Sequence, residues 1–206
     1  MRQEATVRAA VKGRARSGAI TKEKIFSEAL QLFARKGVEG TSIRDISQAV
    51  GVADAALYRH FRSKDDIAGE IFSRHYGALA RGVEQIGAQA QPFSATVRQL
   101  VAHFCTLFDE QPSVFAFILL NQHDHLRLIG DQENVVEALK QIMARAIERG
   151  EIAVRDPDLA AALALGATIQ PAVYKLYGRL AGSMSTLAPQ IAQAVCRALG
   201  TPEIAP

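Results

Sequence analysis

Aromatic residues make up only 6% of this 206-residue chain, and prolines number seven. With alanine abundant in their place, that scarcity favours helix over sheet and leads to an all-α expectation. The two cysteines, Cys105 and Cys196, lie far apart in a chain without an export signal, so buried free thiols are expected rather than a disulfide. No apolar run interrupts the charged and small residues of the first twenty positions, so no signal peptide is expected there. The longest near-continuous apolar stretch, Leu159 to Ile169, is cut at Gln170-Pro171, short of the roughly 18 residues that a membrane helix requires. A cytoplasmic location is therefore expected. Also missing are a nucleophile-and-base motif, a phosphate-cradling glycine loop and metal-ligand spacing, so the chain is not expected to be an enzyme and no cofactor is implied.

What is present begins with charge. The net charge of +3 hides an imbalance: residues 1–64 carry thirteen Lys/Arg against six Asp/Glu, a balance of +7, whereas 65–206 carry eleven against fifteen, a balance of −4. Much of the excess lies in Arg2, Arg8, Lys12, Arg14 and Arg16, in a segment (1–20) without apolar periodicity. It reads as disordered in the free protein. Such a segment is either an arm drawn to DNA phosphates or a solubilising tail.

The next segment carries helical patterning. Thr21 is placed to cap a first helix whose stripe is Ile25, Ala29, Leu32 and Phe33, with a stop at Lys36-Gly37. Thr41 or Ser42 caps a second helix, Ser42 with Asp45 approximating a capping box; a hydroxyl there can alternatively face a phosphate. Ile43, Ile46, Ala49 and Val50 recur at helical spacing, Gly51 supplies a tight turn, and Leu57 and Phe61 re-enter the core on a third helix. Two short amphipathic helices broken by a glycine make a helix-turn-helix, whose second helix enters a DNA major groove. Ser63 with Asp66 opens a fourth helix, striped by Ile67, Ile71, Tyr76, Leu79 and Val83 and ending near Ile86.

With Leu57 and Phe61 inward, Asp54, Ala55 and Tyr58 lie outward. Tyr58 can reach a phosphate or base, Ala55 and Ala56 a thymine methyl, and Arg44 the two acceptors of guanine. The stretch Thr21–His75, with its Leu-Tyr-Arg-His-Phe and Ser-Lys motifs, resembles the DNA-binding domain of the tetracycline-repressor family of bacterial transcription regulators. The resemblance implies that Arg44, Ala55, Ala56 and Tyr58 face base edges or the adjoining backbone and that His60 and Lys64 contact phosphates. Two positions depart from the family pattern. Ala53 stands where a serine cap is usual, and Asp54 brings a carboxylate near the DNA, as a helix start or as an acceptor for a cytosine amine.

Beyond a loose connection at Gly87–Gln91, five further helices are expected: about Ser94 to Asp109, then starts at Pro112, near Glu133, at Asp156-Pro157 and around Thr186. Breaks fall at Gly130–Gln132 and Glu148–Glu151. The total is about nine helices: a helix-turn-helix domain over 21–66, a connecting helix over 67–87, and a C-terminal effector-binding and dimerisation domain over 88–206. The resemblance implies the same two-domain architecture.

Phe93, Phe104, Phe108, Phe115 and Phe117 gather five of the nine phenylalanines, with Tyr174 and Tyr177 further on. Each is also a candidate for ordinary core. Polar neighbours tilt the reading towards a pocket for a small apolar or aromatic effector, with His103, Phe104, Phe108, Phe115, Gln122, Gln170 and Tyr174 as its walls and Pro171 kinking the helix beside Tyr174. His123-Asp124-His125 is not expected to hold a metal, because residues two apart on a helix point apart. Leu159 and Leu163, with Leu187, Ile191, Val195 and Leu199, are expected to form a four-helix interface of a homodimer, whose two reading heads match a palindromic operator. The function that follows is a ligand-responsive repressor binding double-stranded DNA. The alternatives are a DNA-binding regulator controlled by a protein partner and a helical enzyme acting on a small apolar substrate.

Overall fold

Several helix starts in this chain coincide with residues whose side chains satisfy the backbone groups a helix leaves unpaired. The computed structural model describes residues 22–125 and 134–201, with backbone alone over 120–125. The basic arm (1–20), Thr21, the break at 130–132 and the side chains of Gln122, His123 and His125 lie outside the described residues. Among the described residues there are nine helices and no strand: α1 (22–36), α2 (Ile43–Val50), α3 (Asp54–Leu57), α4 (Lys64–Gly87), α5 (Phe93–Glu110), α6 (Pro112–His125), α7 (Val135–Glu148), α8 (Pro157–Leu176) and α9 (Met184–Leu199). Asn134, Asp156 and Ser183 cap α7, α8 and α9 with side-chain acceptors. The chain forms two compact units that divide between Phe72 and Ser73, inside α4.

The first unit buries Ile25, Ala29, Leu32 and Phe33 of α1 with Ile46, Val50, Leu57, Phe61, Ile67 and Ile71. Those are the apolar positions that helical spacing selects. Lys24 Nζ donates to the Val50 carbonyl at 2.7 Å, closing the end of α2 against α1.

In the second unit α9 packs along α5 and α8, and α8 along α7. Its core joins Phe93, Val97, Val101, Cys105 and Phe108 of α5 to Met184, Ile191, Val195 and Leu199 of α9. This placement corrects one expectation. Ile191 and Val195 are 7% and 2% exposed, and Leu187 packs half-buried on the same cluster, so the α9 stripe closes the core of its own subunit instead of facing a partner.

Helix α8 departs from expectation in the other direction. It continues through Gln170-Pro171 to Leu176 as a 20-residue helix, because an interior proline removes one donor without removing the apolar contacts around it. By length and composition alone, with mean hydropathy of 1.3 in its best window, it would suffice to cross a membrane. It buries Ala160, Ala161, Ala164 and Ala172 and leaves Leu159, Leu163 and Tyr174 exposed.

Asp109 at the end of α5 fastens the start of α9, accepting from Met184 N (2.8 Å), Ser185 N (2.8 Å) and Ser185 Oγ (2.7 Å). Burial pushes its carboxyl up, but the hydrogen bonds from Ser185 and Met184 outweigh this and hold it below the ordinary value of 3.8. A lowered native pKa means that the stabilisation is present above the unfolded value and disappears as pH falls through the native one. Asp109→Ala is expected to cost about 1–2 kcal/mol in urea unfolding at neutral pH, as for other lost helix caps, with the difference from wild type vanishing in acid. Cys105 is buried and free, its thiol pushed up to about 11 by burial and then by the Asp109 charge. Cys196 is free and half-buried.

Candidate functional site

Ser42 builds the start of α2 through a reciprocal cap. Its Oγ accepts from Asp45 N at 3.1 Å, while Asp45 Oδ2 accepts from Ser42 N at 2.8 Å and from Ser42 Oγ at 2.6 Å. Those bonds from Ser42 hold the Asp45 carboxyl below the usual aspartate value. Helix α2 ends at Gly51, whose φ of 78° is the left-handed turn that favours glycine. Its N–H points back to the Ser47 and Gln48 carbonyls, and the chain reverses into α3.

Helix α3 is shorter than the pattern suggests, four residues from Asp54 to Leu57. Past it the backbone keeps turning, with Phe61 N donating to the Leu57 carbonyl at 3.0 Å and His60 N to the same oxygen at 2.9 Å. Leu57 and Phe61 are 0% and 3% exposed, while Tyr58 between them is 58% exposed. Two buried residues therefore force the tyrosine ring outward. Ala53 provides no side-chain cap, and Asp54 accepts from the Ser47 hydroxyl, which ties the reading helix to α2.

Most of the expected DNA contacts are accessible. Ser42, Arg44, Ala55, Tyr58 and His60 are exposed and Ala56 is half-buried. Two are placed differently. Thr41 is 2% exposed and its hydroxyl donates to the Gly37 carbonyl at 2.8 Å, so it belongs to the packing of the preceding turn and not to the surface. Lys64 Nζ donates to the carbonyls of Val38 (2.9 Å) and Glu39 (3.3 Å) and pairs with Glu39 Oε2 at 3.4 Å. That engages its donors in clamping the loop after α1. Arg59 and Arg62, outside the expected set, are exposed in the same stretch; their charge was the available signal.

The expected effector residues separate into four groups. Phe104 lines an apolar cavity of about 80 Å3 together with Val83, Leu139, Met143, Ile169 and Val195. His103 and Phe115 line a second cavity of about 320 Å3 with His75, Arg81, Gln85 and Gln111. Phe108 is buried in the core, its ring centroid 6.4 Å from that of Phe104 and 5.6 Å from that of Phe115. Gln170 and Tyr174 are exposed and line neither of these two cavities; the helix runs on past Pro171. Among the described residues no three His, Cys, Asp or Glu side chains are placed to share a metal ion.

The C-terminal half of α4 is held firmly within the second unit. The Tyr76 hydroxyl reaches Asn134 Oδ1 at 3.4 Å, and Arg145 Nη2 donates to the Gly87 carbonyl at 3.2 Å. Two glycines allow the close approach. A Cβ on Gly82 would stand 2.6 Å from His103 Nε2, and one on Gly87 2.5 Å from Ile142 Cδ1.

Residues 25–71 match the family model described as "Bacterial regulatory proteins, tetR family". Over 137 residues, 64% of the chain, it is 27% identical to the HTH-type transcriptional regulator AcrR of Shigella flexneri, and over 88 residues, 43% of the chain, 33% identical to the HTH-type transcriptional repressor KstR2 of Rhodococcus jostii. These matches span 61% and 43% of the two relatives' own lengths. The crystal structure of the TetR family transcriptional regulator PfmR from Thermus thermophilus superposes with a TM-score of 0.68 at 26% identity, covering 87% of this chain and 96% of that one.

Proposed function

We propose that this chain, which belongs to the tetR family of bacterial regulatory proteins, is a ligand-responsive repressor that binds a palindromic operator as a homodimer in the cytoplasm. The observation that carries the reading is Tyr58, driven outward by the burial of Leu57 and Phe61 on the second helix of a helix-turn-helix. Arg44, Ala55, Ala56, Tyr58 and His60 are the proposed base and backbone contacts, with the Ser42 end of α2 facing a phosphate. Thr41 and Lys64 act behind them by fixing the loop that positions α2.

One reading head contacts too few base pairs to select an operator, so two copies are required. The partner surface is the outer face of α8, where Leu159 is 52% and Leu163 37% exposed. An exposed aliphatic row on a helix that is apolar nearly all round is surface that a second copy covers. Effector binding in the second unit acts on the C-terminal half of α4, and that helix runs unbroken into the first unit, which gives the ligand a covalent route to the reading head.

Enrichment of a random duplex library on the purified protein tests the DNA reading. The expected product is a palindrome bound about 10³-fold or more tightly than random DNA, with affinity falling steeply as salt rises. Equal affinity for enriched and random duplexes would reject sequence-specific regulation.

A further inference from the structure

The two cavities of the second unit are neighbours. Gly82 and His103 line the larger, and the residues next to them in sequence, Val83 and Phe104, line the smaller. The wall between them is aromatic: Phe104 on the inner side meets Phe115 on the outer side edge to face, ring centroids 5.2 Å apart. Their linings differ in kind. Arg81, His75, His103, Gln85 and Gln111 line the outer cavity, and no aspartate or glutamate is among its described lining residues. The inner one is aliphatic and aromatic apart from Thr168, whose hydroxyl is turned to the Ala164 carbonyl at 2.8 Å.

Size narrows the ligand further. At about 320 Å3 the outer cavity stands at the lower end of the roughly 300–1,000 Å3 usual for small-molecule sites. At about 80 Å3 the inner one is little more than half the roughly 150 Å3 apolar cavity known to take up benzene, so it admits the slim end of an aliphatic chain and not a ring. We propose that the two cavities are the two ends of one site for an aliphatic monocarboxylate, its carboxylate held among Arg81, His75 and His103 and its chain end passing the Phe104–Phe115 pair into the inner chamber. A guanidinium and imidazoles suit a planar carboxylate, and no aspartate or glutamate stands among the described lining residues to repel one. Gly82 is part of the design, since only a residue without Cβ lets His103 come this close to α4.

This inference rests on the reading of the second unit as the effector-binding part, and its test separates the two. Isothermal titration of the full chain, without DNA, compares octanoate with octan-1-ol and then runs an acid series from butanoate to dodecanoate. Octanoate is expected to bind about tenfold or more tightly than the alcohol of equal length, a difference of about 1.4 kcal/mol. Arg81→Gln is expected to erase that preference while leaving the alcohol unchanged. Thr168→Leu, which narrows the inner chamber, is expected to weaken decanoate about tenfold and butanoate not at all; the chain-length series on wild type, with affinity rising and then levelling, checks the chamber without any substitution. Equal binding of acid and alcohol, or no binding of either, overturns the proposal even if the protein selects an operator. Octanoate binding as described but leaving operator affinity unchanged upholds the site and rejects the ligand-responsive reading.

Discussion

Ile191→Asp is expected to prevent folding, whereas Leu163→Asp is expected to yield a folded monomer. Both residues belong to apolar stripes that look alike in sequence, and their burial in the subunit separates them. Ile191 is 7% exposed among the α5 and α9 core residues, so aspartate there loses a packed side chain, worth about 2–5 kcal/mol, and places an unpaired charge in the core at several kcal/mol more. That exceeds much of the 5–15 kcal/mol that usually separates folded from unfolded domains. Leu163 is 37% exposed, and its charged replacement stays in water until two copies meet. Two-fold symmetry then places the charge in the interface twice. Circular dichroism should show an unfolded Ile191→Asp chain and a Leu163→Asp chain with helical content near wild type, and light scattering should give the latter half the wild-type mass. A Leu163→Asp protein that remains dimeric would move the interface away from the outer face of α8.

The difference between those two positions marks where sequence stops being informative. Periodicity located the α9 stripe correctly, because a helix in water must bury one face; which neighbour covers the face depends on α5, more than seventy residues earlier in the chain, and no local pattern encodes that. Capping chemistry is local, and for that reason the Ser42–Asp45 box, the Gly51 reversal and the proline starts of α6 and α8 were legible from residue types alone. Lys64 shows the same limit at the candidate site. A lysine after a reading helix resembles a phosphate ligand, but its ammonium meets the Val38 and Glu39 carbonyls, contacts set by a loop 25 residues away. Tyr58 was placed outward because both residues that force it there lie within one turn.

Tyr58→Ala is expected to weaken operator binding without changing fold or salt dependence. The side chain is 58% exposed in the free protein, so its removal leaves no cavity, and thermal stability should stay within about 0.5 kcal/mol of wild type. A side chain reading a base or its backbone contributes about 1–3 kcal/mol, and a homodimer loses it twice. The combined loss of about 2–6 kcal/mol corresponds to a decrease in affinity of about thirty-fold to 10⁴-fold. Because tyrosine carries no charge, the slope of log affinity against log salt should be unchanged, whereas Arg44→Ala, if the guanidinium lies on guanine, should relax specificity at one base pair of each half-site. Lys64→Ala provides the contrast. With its ammonium on two carbonyls and a carboxylate, its removal should lower the melting temperature and reach DNA binding through the loosened loop, again with the salt slope intact. A slope reduced by about one unit per subunit at wild-type stability would mean instead that Lys64 leaves Val38 and Glu39 for a phosphate when DNA arrives, and the loop clamp would then be a resting arrangement that binding undoes.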